Sequence, residues 1–132
     1  MSLEPEEERL PERSWTQKFG DALRGTKQGI RGQSSFFVHF FAAAVVVSAG
    51  LMVHLNHIEW CLLALCIAGV LTAEMFNSAL ESMAKAITHE PNPYLGGALD
   101  IGSGAVLLAS IGAAVVGAVV FLNRLNSLVG WW

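Results

Sequence analysis

Three long runs of apolar residues constrain this chain more than any other feature, because their exposure to water is unfavourable. The runs occupy residues 35–53, 58–87 and 98–122, and the second becomes amphipathic after about residue 73. A transmembrane helix needs about 20 residues, and each run supplies that length. Inside a bilayer every backbone polar group must be satisfied internally, which a helix achieves. The sequence therefore predicts an all-α membrane protein with three transmembrane helices.

The two ends of the chain have a different composition. Residues 1–13 are acidic and contain two prolines, which predicts a disordered tail. Residues 14–31 place apolar side chains at helical spacing opposite basic ones, which predicts an amphipathic helix on the membrane surface. Residues 126–132 are expected to form a short C-terminal tail, so residues 14–125 form a single membrane domain.

The distribution of basic residues predicts the orientation of the chain. Six of the eight Lys and Arg residues precede the first apolar run, and the loop at residues 54–57 has none. Cytoplasmic segments are enriched in Lys and Arg. We therefore expect a multi-pass protein with its N-terminus in the cytoplasm and its C-terminus outside.

The second span carries a polar stripe in its last turns. Glu74, Asn77, Ser78 and Glu81 lie at offsets of 0, 3, 4 and 7 residues, which places all four on one helix face. Ionisable groups within membrane spans are costly and usually functional. The stripe is therefore the leading candidate for a functional site.

The predicted depth of this stripe suggests its chemistry. At 1.5 Å per residue, Glu74 lies roughly 24 Å and Glu81 about 35 Å from the outer end of the span, near the inner edge of a hydrocarbon core about 30 Å thick. Asp100 and Ser103 begin the third span on the same side, so the three acids are expected to converge. A lipid hydroxyl and a cytoplasmic nucleotide meet at this depth, where carboxylates can bind Mg²⁺ or accept a proton.

Other interpretations of these polar residues remain open. Gly102, Ser103 and Gly104 are also what close helix packing requires, although the same glycines would let backbone approach a phosphate. The acids can equally belong to a proton or ion pathway in an oligomer. His39 is interpreted as an interfacial histidine, with a catalytic histidine as the alternative. The short outer loop with its neighbour Glu59 is interpreted as solvated rather than metal-binding.

Two segments resemble a known family. AEMFNSALES, residues 73–82, is similar to the E-x-x-N-[ST]-A-x-E motif of the prokaryotic diacylglycerol kinase and undecaprenol kinase family, and ALDIGSGAVLLA, residues 98–109, is similar to a second block of that family. The resemblance covers about residues 15–122. It implies a small three-span kinase of the bacterial cytoplasmic (inner) membrane with no nucleic-acid partner. It also implies assembly as a homotrimeric helical bundle with composite sites at the cytoplasmic edge.

The resemblance also implies a reaction and a set of site residues. The reaction transfers the γ-phosphate of ATP, bound with Mg²⁺, to a membrane lipid alcohol, either undecaprenol or diacylglycerol. The implied catalytic residues are Glu74 as the base and Asn77, the implied metal ligand is Glu81, and the implied nucleotide-binding residues include Asp100 and Ser103.

Three positions depart from the family pattern. Gln33 occupies the place of a second metal-binding glutamate, and Leu99 occupies the place of a lysine that contacts phosphate. Lys85 replaces a family acid and is expected to supply part of the missing positive charge at the nucleotide. These departures support an alternative, in which the chain is a non-catalytic relative that binds lipid or scaffolds a membrane complex.

Overall fold

The computed structural model describes residues 11–31 and 34–130, which form four helices. These are α1 (Trp15–Ile30), α2 (Ser34–Met52), α3 (His57–Ile87) and α4 (Pro93–Val129). The last three are long and apolar enough to cross a membrane. The prediction of an all-α protein with a short N-terminal helix and three spans is confirmed. Most of the predicted acidic tail lies outside the described residues.

Capping side chains determine where α1 and α3 begin. The Ser14 hydroxyl accepts a hydrogen bond from the backbone N–H of Gln17 at the start of α1, and the Asn56 carboxamide accepts one from Glu59 at the start of α3. The Gln17 and Glu59 side-chain oxygens in turn accept hydrogen bonds from the backbone N–H groups of Ser14 and Asn56, which completes a capping box at both sites.

The fourth helix is longer than the predicted span at both ends. It begins at Pro93, because the Asn92 side chain accepts hydrogen bonds from the backbone of residues 94 and 95 and proline suits the first helical position. It ends at Gly130, whose φ of 73° is the left-handed conformation that glycine adopts readily. Residues 93–97 and 123–129, which lie outside the predicted span, are therefore helical, since hydropathy locates the bilayer crossing and not the helix ends.

Helix α3 is the centre of the packing. It runs antiparallel to α4 along most of its length and also contacts α1 and α2. The α2–α3 turn is tight: a Cβ on Gly50 would lie 2.8 Å from Leu55 Cδ1 and 2.8 Å from Trp60 Cη2. Leu55, Leu63 and Val120 form a small buried core beside this turn.

A buried ion pair joins α3 to α4 beside this core. An Arg124 Nη2–H group donates to Glu59 Oε2 at 2.5 Å, and the same carboxylate oxygen accepts the backbone N–H of Asn56 at 2.8 Å. Only 9% of Glu59 is exposed. The prediction that Glu59 is solvated is therefore wrong, because its partner lies on a helix 65 residues away in sequence. We call this end of the bundle the ion-pair end, defined by Glu59 and Arg124.

Candidate active site

The carboxylate of Glu74 is the centre of the polar cluster at the opposite end of the bundle. Only 4% of the residue is exposed. The Ser35 hydroxyl donates a hydrogen bond to Oε1, and His39 Nε2 lies 3.5 Å from Oε2. Among the described residues, no Lys or Arg forms an ion pair with Glu74. Because a buried carboxylate usually has a cationic partner, this arrangement points to function rather than to stability. We call this the carboxylate end, defined by Ser35, His39 and Glu74.

Sequence reasoning missed both partners of Glu74. From the sequence, His39 is expected to be an interfacial histidine, and no role is predicted for Ser35. The available signal was their spacing: residues four apart share one helix face. Helix α2 begins at the carboxylate end of the bundle. Its first turns, which carry Ser35 and His39, therefore lie beside Glu74 on α3. Only the register of α2 against α3 shows the contact.

The predicted stripe continues along α3 beyond Glu74. Asn77 Nδ2 donates a hydrogen bond to Glu81 Oε1 at 3.1 Å. Within the part of the chain that the structure describes, Asn77 Oδ1 and Ser78 Oγ are buried without a hydrogen-bond partner. An unpartnered buried polar atom is costly unless a ligand, ion or water satisfies it. The stripe therefore offers oxygen atoms of the kind that Mg²⁺ prefers.

Helix α4 meets this stripe through a glycine. A Cβ on Gly102 would lie 2.7 Å from Asn77 Oδ1 and 2.9 Å from Leu80 Cδ1, so any side chain there would push the helices apart. By contrast, a Cβ on Gly104 would meet no atom within 4 Å. Gly102 thus serves close helix packing, one of the two interpretations that the sequence left open.

Asp100 lies on a different face of α4 from the one that packs against α3. It precedes Gly102 by two residues, which is about 200° around a helix, and it is exposed. No group of three His, Cys, Asp or Glu side chains among the described residues is close enough to hold a metal ion. The expected convergence of Glu74, Glu81 and Asp100 is therefore not met within one chain.

The remaining predicted site residues are at the periphery. Ser103 and Lys85 are exposed, and Leu99 is partly buried on α4. Gln33, the predicted second metal ligand, lies outside the described residues. The structure thus brings together the α3 stripe and two α2 residues, but it does not bring the nucleotide-binding candidates to them.

Two cavities flank α3. The first, of about 440 Å³, lies between α2, α3 and α4 and is lined mainly by Ala, Val, Leu and Ile, with His39 as its basic residue. The second, of about 920 Å³, lies between α1 and α3 and is more polar, with Thr26, Gln28, Arg31 and Ser78 among its lining residues. Glu74 borders neither cavity.

Comparison with known proteins identifies the family. The model of the prokaryotic diacylglycerol kinase family matches residues 20–121. The chain is 33% identical over 107 residues to an undecaprenol kinase of Bacillus subtilis, covering 81% of this chain and 87% of that one. It is 35% identical over 112 residues to a diacylglycerol kinase of Synechocystis, covering 84% of this chain and 64% of that protein. The chain therefore belongs to the prokaryotic diacylglycerol kinase family.

Proposed function

We propose that this protein is an ATP-dependent lipid kinase that transfers the γ-phosphate to undecaprenol or diacylglycerol. The reaction takes place at the cytoplasmic edge of the bacterial inner membrane. The two relatives are named for these two substrates. The observation that carries the proposal is the buried Glu74 carboxylate, which has hydroxyl and imidazole partners but no cationic one among the described side chains.

The position of Glu74 suits a reaction between a lipid and a soluble nucleotide. Glu74 is residue 18 of the 31-residue helix α3. At 1.5 Å per residue it lies about 26 Å from the start of α3 at His57, close to the edge of a hydrocarbon core about 30 Å thick. A lipid hydroxyl reaches this depth from the bilayer, and ATP reaches it from the cytoplasm. Phosphoryl transfer then needs positioning, charge neutralisation and removal of the hydroxyl proton. Glu74 is the base of the site.

The residues beside Glu74 fit a magnesium ion. Glu81 supplies a carboxylate, the unpartnered Asn77 Oδ1 supplies a neutral oxygen, and Gln33 is the proposed further ligand. Mg²⁺ usually binds one or two carboxylates together with substrate phosphates and water, so a site without three acids is sufficient. When bound, the ion neutralises charge on the transferring phosphate.

In an oligomer, the nucleotide-binding residues of one protomer complete the active site of a neighbouring protomer. Asp100 and Ser103 are exposed and face away from Glu74 in their own chain. In the proposed homotrimer, these residues of one copy lie beside the carboxylate end of a neighbouring copy and bind the nucleotide together with Lys85. Each site is then composite, with the α2 and α3 residues of one protomer and the α4 residues of another.

The proposal is tested by phosphate transfer from labelled MgATP in vesicles that contain either undecaprenol or diacylglycerol. We expect the purified protein to phosphorylate one of the two lipids and the Glu74→Gln variant to lose this activity. Glu90→Gln is the matched control, because Glu90 is an exposed carboxylate in the α3–α4 loop. If the folded wild-type protein transfers phosphate to neither lipid, the lipid-kinase proposal is wrong and the non-catalytic alternative is favoured.

A further inference from the structure

The cavity between α1 and α3 is lined by a cation and a buried hydroxyl group that the proposed reaction does not use. Its volume is about 920 Å³, and Arg31 is the only charged residue among its described lining residues. No carboxylate of the described chain forms an ion pair with Arg31. Ser78 also lines the cavity and is 4% exposed, and its Oγ atom has no hydrogen-bond partner among the described residues.

The lining residues on α3 become more polar along the helix. Ala68 and Leu71 are the first of them, and Ser78 and Ser82 are among the last. At 1.5 Å per residue, Ala68 lies about 17 Å and Ser82 about 38 Å from the start of α3, on either side of the edge of a hydrocarbon core about 30 Å thick. The cavity therefore spans the depth at which a lipid changes from hydrocarbon chain to polar head group.

The donors that this cavity offers favour a negatively charged oxygen. The hydroxyl groups of Thr26 and Ser82 already donate to backbone carbonyls, at 2.9 Å and 3.0 Å. This leaves the Arg31 guanidinium, the Gln28 amide and the Ser78 hydroxyl as donors for a ligand. None of the described lining residues is acidic. A guanidinium group binds phosphate through charge-assisted hydrogen bonds, so a phosphate group fits the polar part of the cavity.

We propose that the cavity between α1 and α3 binds an anionic phospholipid, with its phosphate group at Arg31 and a hydrocarbon chain along the apolar part of α3. The site is separate from the base, because Glu74 does not border this cavity and contacts α2 instead. A zwitterionic head group fits less well, since its ammonium group would meet no acid among the described lining residues. Free phosphate would leave the apolar part of the cavity unfilled.

The bound lipid is expected to affect the active site through α1. Much of the space between α1 and α3 is this cavity, so a lipid within it holds α1 against α3. Arg31 precedes the start of α2 by three residues, and Ser35 in the first turn of α2 contacts Glu74. An anionic lipid should therefore support the start of α2 beside the base and raise the rate of phosphate transfer. This consequence rests on the proposed lipid-kinase function, whereas the binding site itself does not.

Lipid-dependent thermal unfolding tests the site without a kinase assay, because a ligand that binds the folded protein raises its unfolding midpoint. The purified protein in an uncharged detergent is titrated with phosphatidylglycerol, phosphatidylcholine or inorganic phosphate. We expect phosphatidylglycerol to act at the lowest concentration and inorganic phosphate to have no effect. In Arg31→Gln, the phosphatidylglycerol concentration that gives the half-maximal rise should increase at least about tenfold.

Lys27→Gln is the matched control. Lys27 is also an exposed basic residue near the end of α1, but it does not line the cavity, so this variant should bind phosphatidylglycerol as the wild-type protein does. Ala68→Phe fills the apolar part of the cavity with a ring and should weaken binding while Arg31 is kept. If Ala68→Phe does not fold, the comparison of Arg31→Gln with Lys27→Gln decides.

Three outcomes would overturn the inference. Equal weakening in Arg31→Gln and Lys27→Gln would show diffuse attraction to the basic helix, equal effects of the two phospholipids would show that charge is not read, and an effect of inorganic phosphate would show a site for free anions. Phosphate transfer in vesicles of either phospholipid gives the second readout, where the advantage of phosphatidylglycerol should be lost in Arg31→Gln. A wild-type protein that binds phosphatidylglycerol through Arg31 but transfers no phosphate would contradict the lipid-kinase proposal and leave the binding site intact.

Discussion

Helix α3 carries two buried glutamates, one in its first turn and one just past its midpoint, and the two have different partners. Glu59, at the ion-pair end, receives a guanidinium group from Arg124 and a backbone N–H group from Asn56. Glu74, at the carboxylate end, receives a hydroxyl group and faces an imidazole, with no Lys or Arg partner among the described residues. The two side chains are almost equally buried, at 9% and 4% exposed.

This difference supports a structural role for Glu59 and the proposed catalytic role for Glu74. A buried charge with a hydrogen-bonded partner of opposite sign fixes two helices relative to each other. A buried charge without such a partner costs stability, and it persists where its chemistry is needed. Buried polar atoms without a hydrogen-bond partner among the described residues occur at both ends, at Asn77 Oδ1 and Ser78 Oγ near Glu74 and at Arg124 Nε in the ion pair, so the contrast rests on the charged partner alone. We therefore propose that the ion-pair end of the bundle stabilises the fold and that the carboxylate end carries the active site.

The largest expected effect is on activity at the carboxylate end. Glu74→Gln removes the negative charge but keeps a side chain that can hydrogen-bond to Ser35 and His39. We expect kcat to fall about 100-fold or more, while the thermal unfolding midpoint in detergent stays the same or rises, because the buried charge is lost. Lipid phosphorylation and thermal unfolding measured on the same preparation check this. A large fall in the unfolding midpoint would show that Glu74 is structural.

The opposite outcome is expected at the ion-pair end. Glu59→Gln leaves the partly buried Arg124 guanidinium without its counter-charge, which is destabilising. We expect the largest fall in unfolding midpoint of any variant discussed here, while the phosphorylation rate per folded molecule is kept. The double variant Glu59→Leu, Arg124→Leu removes both charges and should recover much of the lost stability. If the double variant is as unstable as the single one, the pair is not the cause.

The sequence predicted the spans and the α3 stripe but not the contacts that distinguish the two ends. Long apolar runs and i, i+3, i+4 spacing are local signals, so three membrane helices and a polar face followed from them. The contacts of Glu74 with His39 and of Glu59 with Arg124 depend on helix register. In a bilayer, side chains that face lipid and side chains that face another helix are equally apolar. Nothing in the Ala- and Val-rich α2 therefore reveals which of its faces meets α3.

A smaller effect is expected where α4 approaches the stripe. In Gly102→Ala the new methyl group would lie 2.7 Å from Asn77 Oδ1 and 2.9 Å from Leu80 Cδ1. The helices must separate, which we expect to cost about 1–3 kcal/mol of unfolding free energy and to lower activity by displacing Asn77. Gly104→Ala is the matched control, because its methyl group meets no atom within 4 Å. Equal stability and activity of the two variants would show that Gly102 does not hold the stripe.

The smallest effect is expected where α1 rests on α3. In Gly29→Ala the new Cβ would lie 2.6 Å from Met75 Sδ and 3.0 Å from Met75 Cε. These atoms end a flexible side chain that can move away, and Ala favours a helix over Gly by roughly 0.5–1 kcal/mol. The two terms should nearly cancel in the unfolding midpoint. Gly25→Ala, which meets no atom within 4 Å, should show the helix gain alone.

The comparison between these two α1 variants measures how firmly α1 is held. If Gly29→Ala lowers the unfolding midpoint as much as Gly102→Ala does, Met75 cannot move and α1 is fixed to α3 as tightly as α4 is. If Gly29→Ala instead matches Gly25→Ala, the contact with Met75 contributes little. In that case the apolar side chains Trp15, Phe19 and Leu23, which are 74%, 68% and 69% exposed in the protein, hold α1 in place by entering the bilayer surface.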